Sequence, residues 1–94
     1  MYNPQLETFI QAADSGSFSK AAEKLFISQT AVTKQINLLE DNLGIKLFNR
    51  THRGLTLTDA GKSLYSDAKY MIQYAKDSLK RAEDAQRKEA NIIR

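Results

Sequence analysis

The chain has 94 residues and a mass of 10.6 kDa, the size of one small domain. Apolar residues make up 41% and charged residues 27%, which is typical of a soluble globular protein and argues against disorder. The absence of cysteine excludes a disulfide framework, a thiolate nucleophile and a Cys-based zinc site. No apolar run exceeds three residues, so we expect no membrane span, and the lack of a basic-then-apolar leader favours the cytoplasm.

The net charge of +3 results from 14 basic and 11 acidic residues. Residues 1–61 carry six of each, whereas residues 62–94 carry eight basic and five acidic side chains and hold the whole excess. So small an excess is only a weak indication of a nucleic-acid partner. A functional interpretation therefore depends on which basic groups share a face.

The first helix is marked at both ends. Asn3 fits its cap and Pro4 its first position, and Gly16 provides a stop. Apolar residues recur between them at helical spacing, at Leu6, Phe9, Ile10 and Ala13.

Two further helices are predicted close together. The second begins near Ser17 or Ser19, either of which could cap it, and runs through paired alanines to Leu25. Ser28 is the expected cap of the third, which covers residues 29 to about 42 and ends at Gly44. Because only two or three residues separate these helices, they must cross steeply, as in a helix-turn-helix.

After Gly44 the spacing of the apolar residues changes from that of a helix to that of a strand. Ile45–Phe48 and Leu55–Leu57 are short β-capable segments on either side of the polar loop Asn49–Gly54. This pattern predicts a small β-hairpin, or wing, with Arg50 and Arg53 at its tip.

Thr58 and Asp59 open a final helix that no later proline interrupts and that extends for some thirty residues. Its apolar positions alternate in steps of three and four, which is typical of a seam for a partner helix, at Tyr65, Ala68, Ile72, Ala75, Leu79 and Ala82. The alternative is a solvated helix whose first turns pack on the core, but Ile72 and Leu79 are expected to lie beyond the reach of the core. We therefore favour a homodimer interface, parallel or antiparallel.

The third helix has two distinct faces. Its apolar residues share one arc and should face the core, at Val32, Ile36, Leu39 and Leu43. The opposite face begins with amide, hydroxyl and lysine side chains, at Gln29, Thr30, Thr33, Lys34 and Asn37, and places its acids, Glu40 and Asp41, at the C-terminal end. Such a face suits a helix that enters the DNA major groove by its N-terminal half. The alternative is an ordinary solvated polar face.

Further basic and hydroxyl groups could hold the DNA backbone. Arg50 and Arg53 could enter the minor groove or contact phosphate, unless they are only solubilising surface charges. Ser19 and Lys20, at the start of the second helix, are candidates for phosphate contacts. The single histidine, His52, is expected to be a surface loop residue.

An enzymatic function finds little support. The sequence contains no Gly-rich phosphate loop, no Gly-x-Ser-x-Gly elbow and no metal-ligand spacing of His, Asp or Glu. We expect no catalytic residue, no metal and no cofactor.

With these residues identified, the chain resembles the N-terminal DNA-binding domain of a LysR-type transcriptional regulator. The resemblance covers nearly the whole length and is carried by segments in the family's order and spacing: Leu6–Phe9, Gly16–Ala22, Ser28–Ile36, Leu47–Arg50 and Leu57–Gly61. It implies base contacts from Gln29, Thr30, Thr33 and Lys34 and a minor-groove contact from Arg53. It also implies a linker helix that pairs antiparallel with that of a second subunit, and a C-terminal effector-binding domain that is absent here. Because Lys34 stands where the family often has arginine, a phosphate or single-bond contact is expected there.

We therefore predict a mainly α fold, a winged helix-turn-helix of three helices and a β-hairpin over residues 1–58, followed by a long linker and dimerisation helix over 59–94. The predicted function is sequence-specific binding of double-stranded DNA as a homodimer. The alternative is a dimeric adaptor that binds a protein through its winged face. A membrane-surface helix is less favoured, because residues 62–94 carry five acids among their bases.

Overall fold

The computed structural model describes residues 4–92, and side chains up to residue 89. Four helices and one hairpin follow one another in the order α1 (Pro4–Ser15), α2 (Phe18–Leu25), α3 (Gln29–Leu43), β1 (Phe48–Thr51), β2 (Gly54–Leu57) and α4 (Asp59–Ile92). The predicted class, a mainly α winged helix-turn-helix with a long final helix, is confirmed. The predicted cap Asn3 lies outside the described residues.

Hydroxyl caps set the starts of α2 and α3. The Ser17 side chain accepts a hydrogen bond from the Lys20 backbone N–H at 3.3 Å, and Ser28 accepts one from Ala31 at 3.0 Å. Each satisfies a backbone donor that the first turn of a helix would otherwise leave unpaired. Of the two candidate caps of α2, the structure therefore uses Ser17, and Ser19 lies inside the helix.

The turn between α2 and α3 depends on one residue with left-handed backbone geometry. Phe26 has φ 59° and ψ 39°, and its side chain is 93% exposed. The backbone N–H groups of Phe26 and Ile27 donate to the carbonyls of Glu23 and Ala22, the pattern of a Schellman motif. This motif ends α2 abruptly, so that α3 can begin at a steep angle after only three intervening residues, Phe26 to Ser28.

The core lies where α1, α2 and α3 meet the base of the hairpin. Phe48 packs edge-on against two aromatic rings, with ring centroids 5.5 Å from Phe9 and 5.8 Å from Phe18. On α3, the expected core residues Val32, Ile36 and Leu39 are buried. The prediction for Leu43 is wrong: it is 47% exposed, because the buried cluster on α3 ends one turn earlier.

The hairpin is tighter than predicted. Phe48 pairs with Leu57 and Thr51 with Gly54, so only His52 and Arg53 form the turn. The Thr51 hydroxyl closes the turn by accepting from the Arg53 N–H at 3.2 Å. Asn49 to Thr51 are therefore strand residues and not loop residues. The placement of Arg50 at the tip is wrong, since it lies within β1, opposite Leu55. Ile45 precedes the hairpin and is exposed.

The start of α4 is fastened to the segment that precedes the hairpin. The Thr58 hydroxyl accepts from the Gly61 N–H at 2.9 Å and donates to the Lys46 carbonyl at 2.7 Å. Gly61 lies so close to this segment that a Cβ atom there would stand 2.2 Å from the Leu47 carbonyl oxygen. The first turn of α4 is therefore part of the same folded body as the hairpin.

The remainder of α4 leaves that body partway along its length. At 1.5 Å per residue, its 34 residues span about 51 Å. The Tyr65 hydroxyl donates to Asp14 of α1, and Ala68 and Ile72 are buried. The expectation that Ile72 lies beyond the core is therefore wrong, because it is only 8% exposed, beside α1. Leu79 does lie outside, at 51% exposure. Among the residues described, no helix has the length and apolar composition needed to cross a bilayer.

Candidate nucleic-acid interface

The polar face of α3 forms one continuous, shallow concave surface, which we call the reading surface. It is lined by Gln29, Thr30, Thr33, Lys34, Asn37 and Leu38. All are exposed except Thr33, which is half-buried. The four predicted base-contacting side chains are therefore brought together and face away from the core. This follows from the helical period, because Val32, Ile36 and Leu39 fix the opposite face of α3 in the core.

Glu40 does not belong to the solvated face that the sequence predicted. Its side chain is 4% exposed, and its carboxylate accepts hydrogen bonds from the backbone N–H groups of Leu47 at 2.8 Å and Phe48 at 3.3 Å. The Lys46 ammonium lies 3.8 Å from the same carboxylate. A buried carboxylate needs such donors to offset its lost hydration. Glu40 thus anchors the first residues of the hairpin to α3.

Arg50 connects three elements. Its Nη2 donates to Glu40 Oε1 at 2.9 Å and to Asn37 Oδ1 at 2.8 Å, both on α3. Its guanidinium carbon lies 5.1 Å from the centre of the Phe18 ring, a cation–π contact with the start of α2. The side chain is partly exposed. Arg50 therefore ties the wing to α2 and α3 while keeping an edge at the surface.

A second groove runs between the start of α2, the start of α3 and the wing. Three of the residues predicted to contact DNA line this groove, namely Ser19, Gln29 and Arg50. The rest of its lining consists of Ser17, Phe18, Thr51, Gly54 and Leu55. Lys20 lies elsewhere, beside Asp14, Glu23 and Lys24. Ser19 and Lys20, both predicted to contact phosphate, thus line different grooves. Arg53 is exposed in the turn of the hairpin.

The predicted seam of α4 divides into two halves. Ala68 and Ile72 are buried and Tyr65 is half-buried in the same chain, where Tyr65 and Ile72 lie beside α1. Ala75 is half-buried, and Leu79 and Ala82 are exposed. Only this outer half of the predicted seam therefore remains largely open to a partner helix.

Two contributions to the site were missed by sequence reasoning. Asn37 was placed on the polar face but not among the contacts, and Glu40 was taken for a solvated acid. Both form hydrogen bonds with Arg50, which is at least ten residues away in the chain. The pattern of charges along one helix does not show whether a side chain will hydrogen-bond to a residue on another helix or strand. Within residues 4–92, no cluster of three or more His, Asp or Glu side chains is arranged to hold a metal ion.

A tight helix-turn-helix, a two-stranded wing and an outward polar face on the second helix of the motif define a winged helix-turn-helix protein. The sequence matches the family model described as bacterial regulatory helix-turn-helix protein, lysR family, over residues 4–62. The chain belongs to this family, as the resemblance in its sequence predicted.

Relatives and solved structures agree with this assignment. The transcriptional regulator TfdT of Cupriavidus pinatubonensis is 40% identical over 90 residues, which are 96% of this chain and 40% of TfdT. The chain thus spans well under half the length of such relatives. The crystal structure of a CbnR DNA-binding domain in complex with DNA is similar, with a TM-score of 0.86 and 39% identity, over 90% of this chain and 98% of that one. The BenM DNA-binding domain in complex with catB site 1 DNA has the same TM-score at 30% identity, over 90% of this chain and 96% of that one.

Proposed function

We propose that the chain is the DNA-binding part of a bacterial LysR-type transcriptional regulator and binds double-stranded DNA sequence-specifically. The observation that carries this proposal is the reading surface, whose polar side chains lie uncovered on α3 while the opposite face of that helix is fixed in the core. The CbnR and BenM domains, which share the fold at 30% identity or more, were crystallised with DNA. The cytoplasm, where bacterial DNA lies, is the proposed site of action.

The proposed base contacts come from the first turns of α3. A helix fits the major groove, where each base pair presents a distinct pattern of donors and acceptors. Gln29 has the amide that can pair with adenine, and Thr30 and Thr33 have a hydroxyl and a methyl group suited to thymine. Lys34 supplies a flexible cation for guanine or phosphate. All four lie on the reading surface.

The wing and the start of α2 supply the proposed backbone contacts. Arg53, exposed in the two-residue turn, is the proposed minor-groove contact. Arg50 and Ser19 border one groove and are proposed to hold one phosphate there. Lys20 is proposed to contact a separate phosphate, since its groove is a different one. Such contacts position the protein without reading the sequence.

We further propose that residues 1–58 form the DNA-binding domain and that residues 59–94 form the linker helix, which pairs with a second copy of the chain. The exposed side chains of Leu79 and Ala82, with half-buried Ala75, are the proposed contacts between the two linker helices. Response to a small-molecule effector would require the C-terminal effector-binding domain that the resemblance to the family implies.

The test compares binding of specific and unspecific duplexes. A duplex selected by the protein from a random pool provides the specific ligand, and a scrambled duplex the unspecific one. Gln29→Ala should weaken specific binding by roughly 1–3 kcal/mol more than unspecific binding. Gln73→Ala removes the same amide from an exposed site on α4 outside the predicted seam and should change neither.

Electrostatic contacts provide a second readout. The logarithm of the binding constant should fall with the logarithm of salt concentration by about 0.9 per phosphate contact. Equal losses of specific and unspecific binding in Gln29→Ala would refute the base-reading role. A wild-type protein that selects no duplex would refute DNA binding and leave the protein adaptor as the interpretation.

A further inference from the structure

We infer that Asn37 is an additional DNA-contacting residue, and that it offers DNA hydrogen-bond donors because Arg50 occupies its oxygen. The inference rests on the proposed function, since it extends the set of contacts on the reading surface. Asn37 lies outside the four positions to which the sequence assigned base contacts.

The orientation of the Asn37 amide follows from the chemistry of its partner. The Arg50 guanidinium has N–H donors and no acceptor, so the Asn37 atom that it meets at 2.8 Å must be the carbonyl oxygen, Oδ1. Arg50 is itself held at 2.9 Å by Glu40, which is almost completely buried, and by the ring of Phe18. An anchored donor thus prevents the amide from flipping.

The other end of the amide remains available. The Asn37 side chain is exposed, and its Nδ2 group makes no hydrogen bond within the part of the chain that the structure describes. Nδ2 carries two hydrogens and can only donate. The matching groups on DNA are acceptors: N7 and O6 of guanine, O4 of thymine, or a phosphate oxygen.

The position of Asn37 is that of a contact residue. It follows Lys34 by three residues and Thr30 by seven, so that the three side chains share one face of α3. Together they line the same concave surface. Any DNA seated along this surface beyond the first two turns of α3 therefore meets the Asn37 amide next.

Two substitutions separate the donor from the rest of the side chain. Asn37→Ala removes the amide. Asn37→Asp keeps an oxygen for Arg50 but replaces the donor with an acceptor that repels both phosphate and guanine. Asn42→Asp makes the same chemical change at an exposed site on another side of α3, off the reading surface, and controls for the added charge.

Binding is measured with the duplex that the wild-type protein selects from a random pool. Asn37→Ala should weaken this complex about 5- to 10-fold, the effect of losing one hydrogen bond, and Asn37→Asp should weaken it more. Asn42→Asp should stay within about twofold of the wild-type protein. Thermal melts of the free proteins should be nearly unchanged, because Asn37 is exposed.

A scrambled duplex identifies the acceptor. If Nδ2 contacts phosphate, Asn37→Ala weakens both duplexes equally; if it contacts a base, only the selected duplex loses affinity, and repeated selection shows relaxed preference at one position. Either result supports the inference. Wild-type affinity in Asn37→Ala, or equal losses in the two aspartate variants, overturns it. If Gln29→Ala still loses specific binding in that case, the proposed function stands; a wild-type protein that binds no duplex refutes both.

Discussion

The Arg50 guanidinium in the wing donates a hydrogen bond of 2.9 Å to the Glu40 carboxylate on α3, which is buried beneath the hairpin. The same carboxylate accepts hydrogen bonds from the backbone N–H groups of Leu47 and Phe48, where the hairpin begins. One acid on α3 is therefore bonded both to the start of the hairpin and to Arg50 within the wing, and so helps to hold the wing beside the reading surface. Since both elements are proposed to contact DNA, their relative position matters for binding as well as for folding.

Replacing Glu40 by glutamine should lower the free energy of unfolding by about 2–4 kcal/mol, because the charge that binds Arg50 is lost and an amide N–H₂ faces existing donors. The measurement is urea denaturation followed by circular dichroism. Asp41→Asn makes the same change at the neighbouring exposed residue and should cost less than about 0.5 kcal/mol. Similar losses in the two variants would contradict the anchoring role.

Gly61→Ala should destabilise the protein by about 1–3 kcal/mol, although alanine normally favours a helix over glycine. The reason is steric, since the added Cβ would stand 2.2 Å from the Leu47 carbonyl oxygen. Ser63→Ala, an exposed site two residues along α4, should be neutral or slightly stabilising. A raised melting temperature in Gly61→Ala would show that α4 does not sit this close to Leu47.

Phe26→Gly should stabilise the protein by about 0.5–1 kcal/mol. Left-handed backbone geometry is unfavourable for a residue with a side chain, and the exposed Phe26 ring has little packing to lose. Phe26→Ala removes the ring but keeps the unfavourable geometry, so it should bring no such gain. If both variants gain equally in thermal melts, the ring and not the backbone is responsible.

Leu79→Asp should abolish self-association while leaving the fold intact, because Leu79 is exposed in the single chain. For the wild-type protein, the melting temperature should rise with protein concentration, as expected when folding is coupled to dimer formation. In Leu79→Asp this dependence should disappear, whereas Lys80→Asp, at the next and also exposed position, should retain it.

Ile72→Asp should instead unfold the chain, since Ile72 is buried in the single chain. A wild-type melting temperature independent of concentration would contradict pairing through α4.

Local signals explain why most of the fold was predictable from the sequence. Ser28 and Gly44 mark the two ends of α3, and both act as expected, Gly44 with a φ of 71°. The outward face of α3 was predictable because the helical period of about 3.6 residues assigns each side chain a direction, and the apolar residues of α3 recur at that period. The change from helical to strand spacing after Gly44, and the cap at Thr58, predicted the wing and the long final helix in the correct order.

The errors concern contacts between elements. Whether Glu40 is solvated depends on where the hairpin folds back, and Arg50 moved from the tip into β1 because the turn uses only two residues. Ile72 is buried because α4 stays beside α1 as far as this residue, whereas the spacing of apolar residues along α4 had indicated that α4 leaves the core earlier. None of these facts is encoded in the residues next to the side chain concerned.

The continuity of α4 has a mechanical consequence. The helix contains neither proline nor glycine after Gly61, and it extends from the buried Ile72 to the exposed Leu79 without a break. An unbroken α-helix has no hinge at which bending could dissipate a torque. We therefore expect a rotation of the outer half of α4 to turn the three-helix body with it, and with that body the proposed DNA-contacting face of α3.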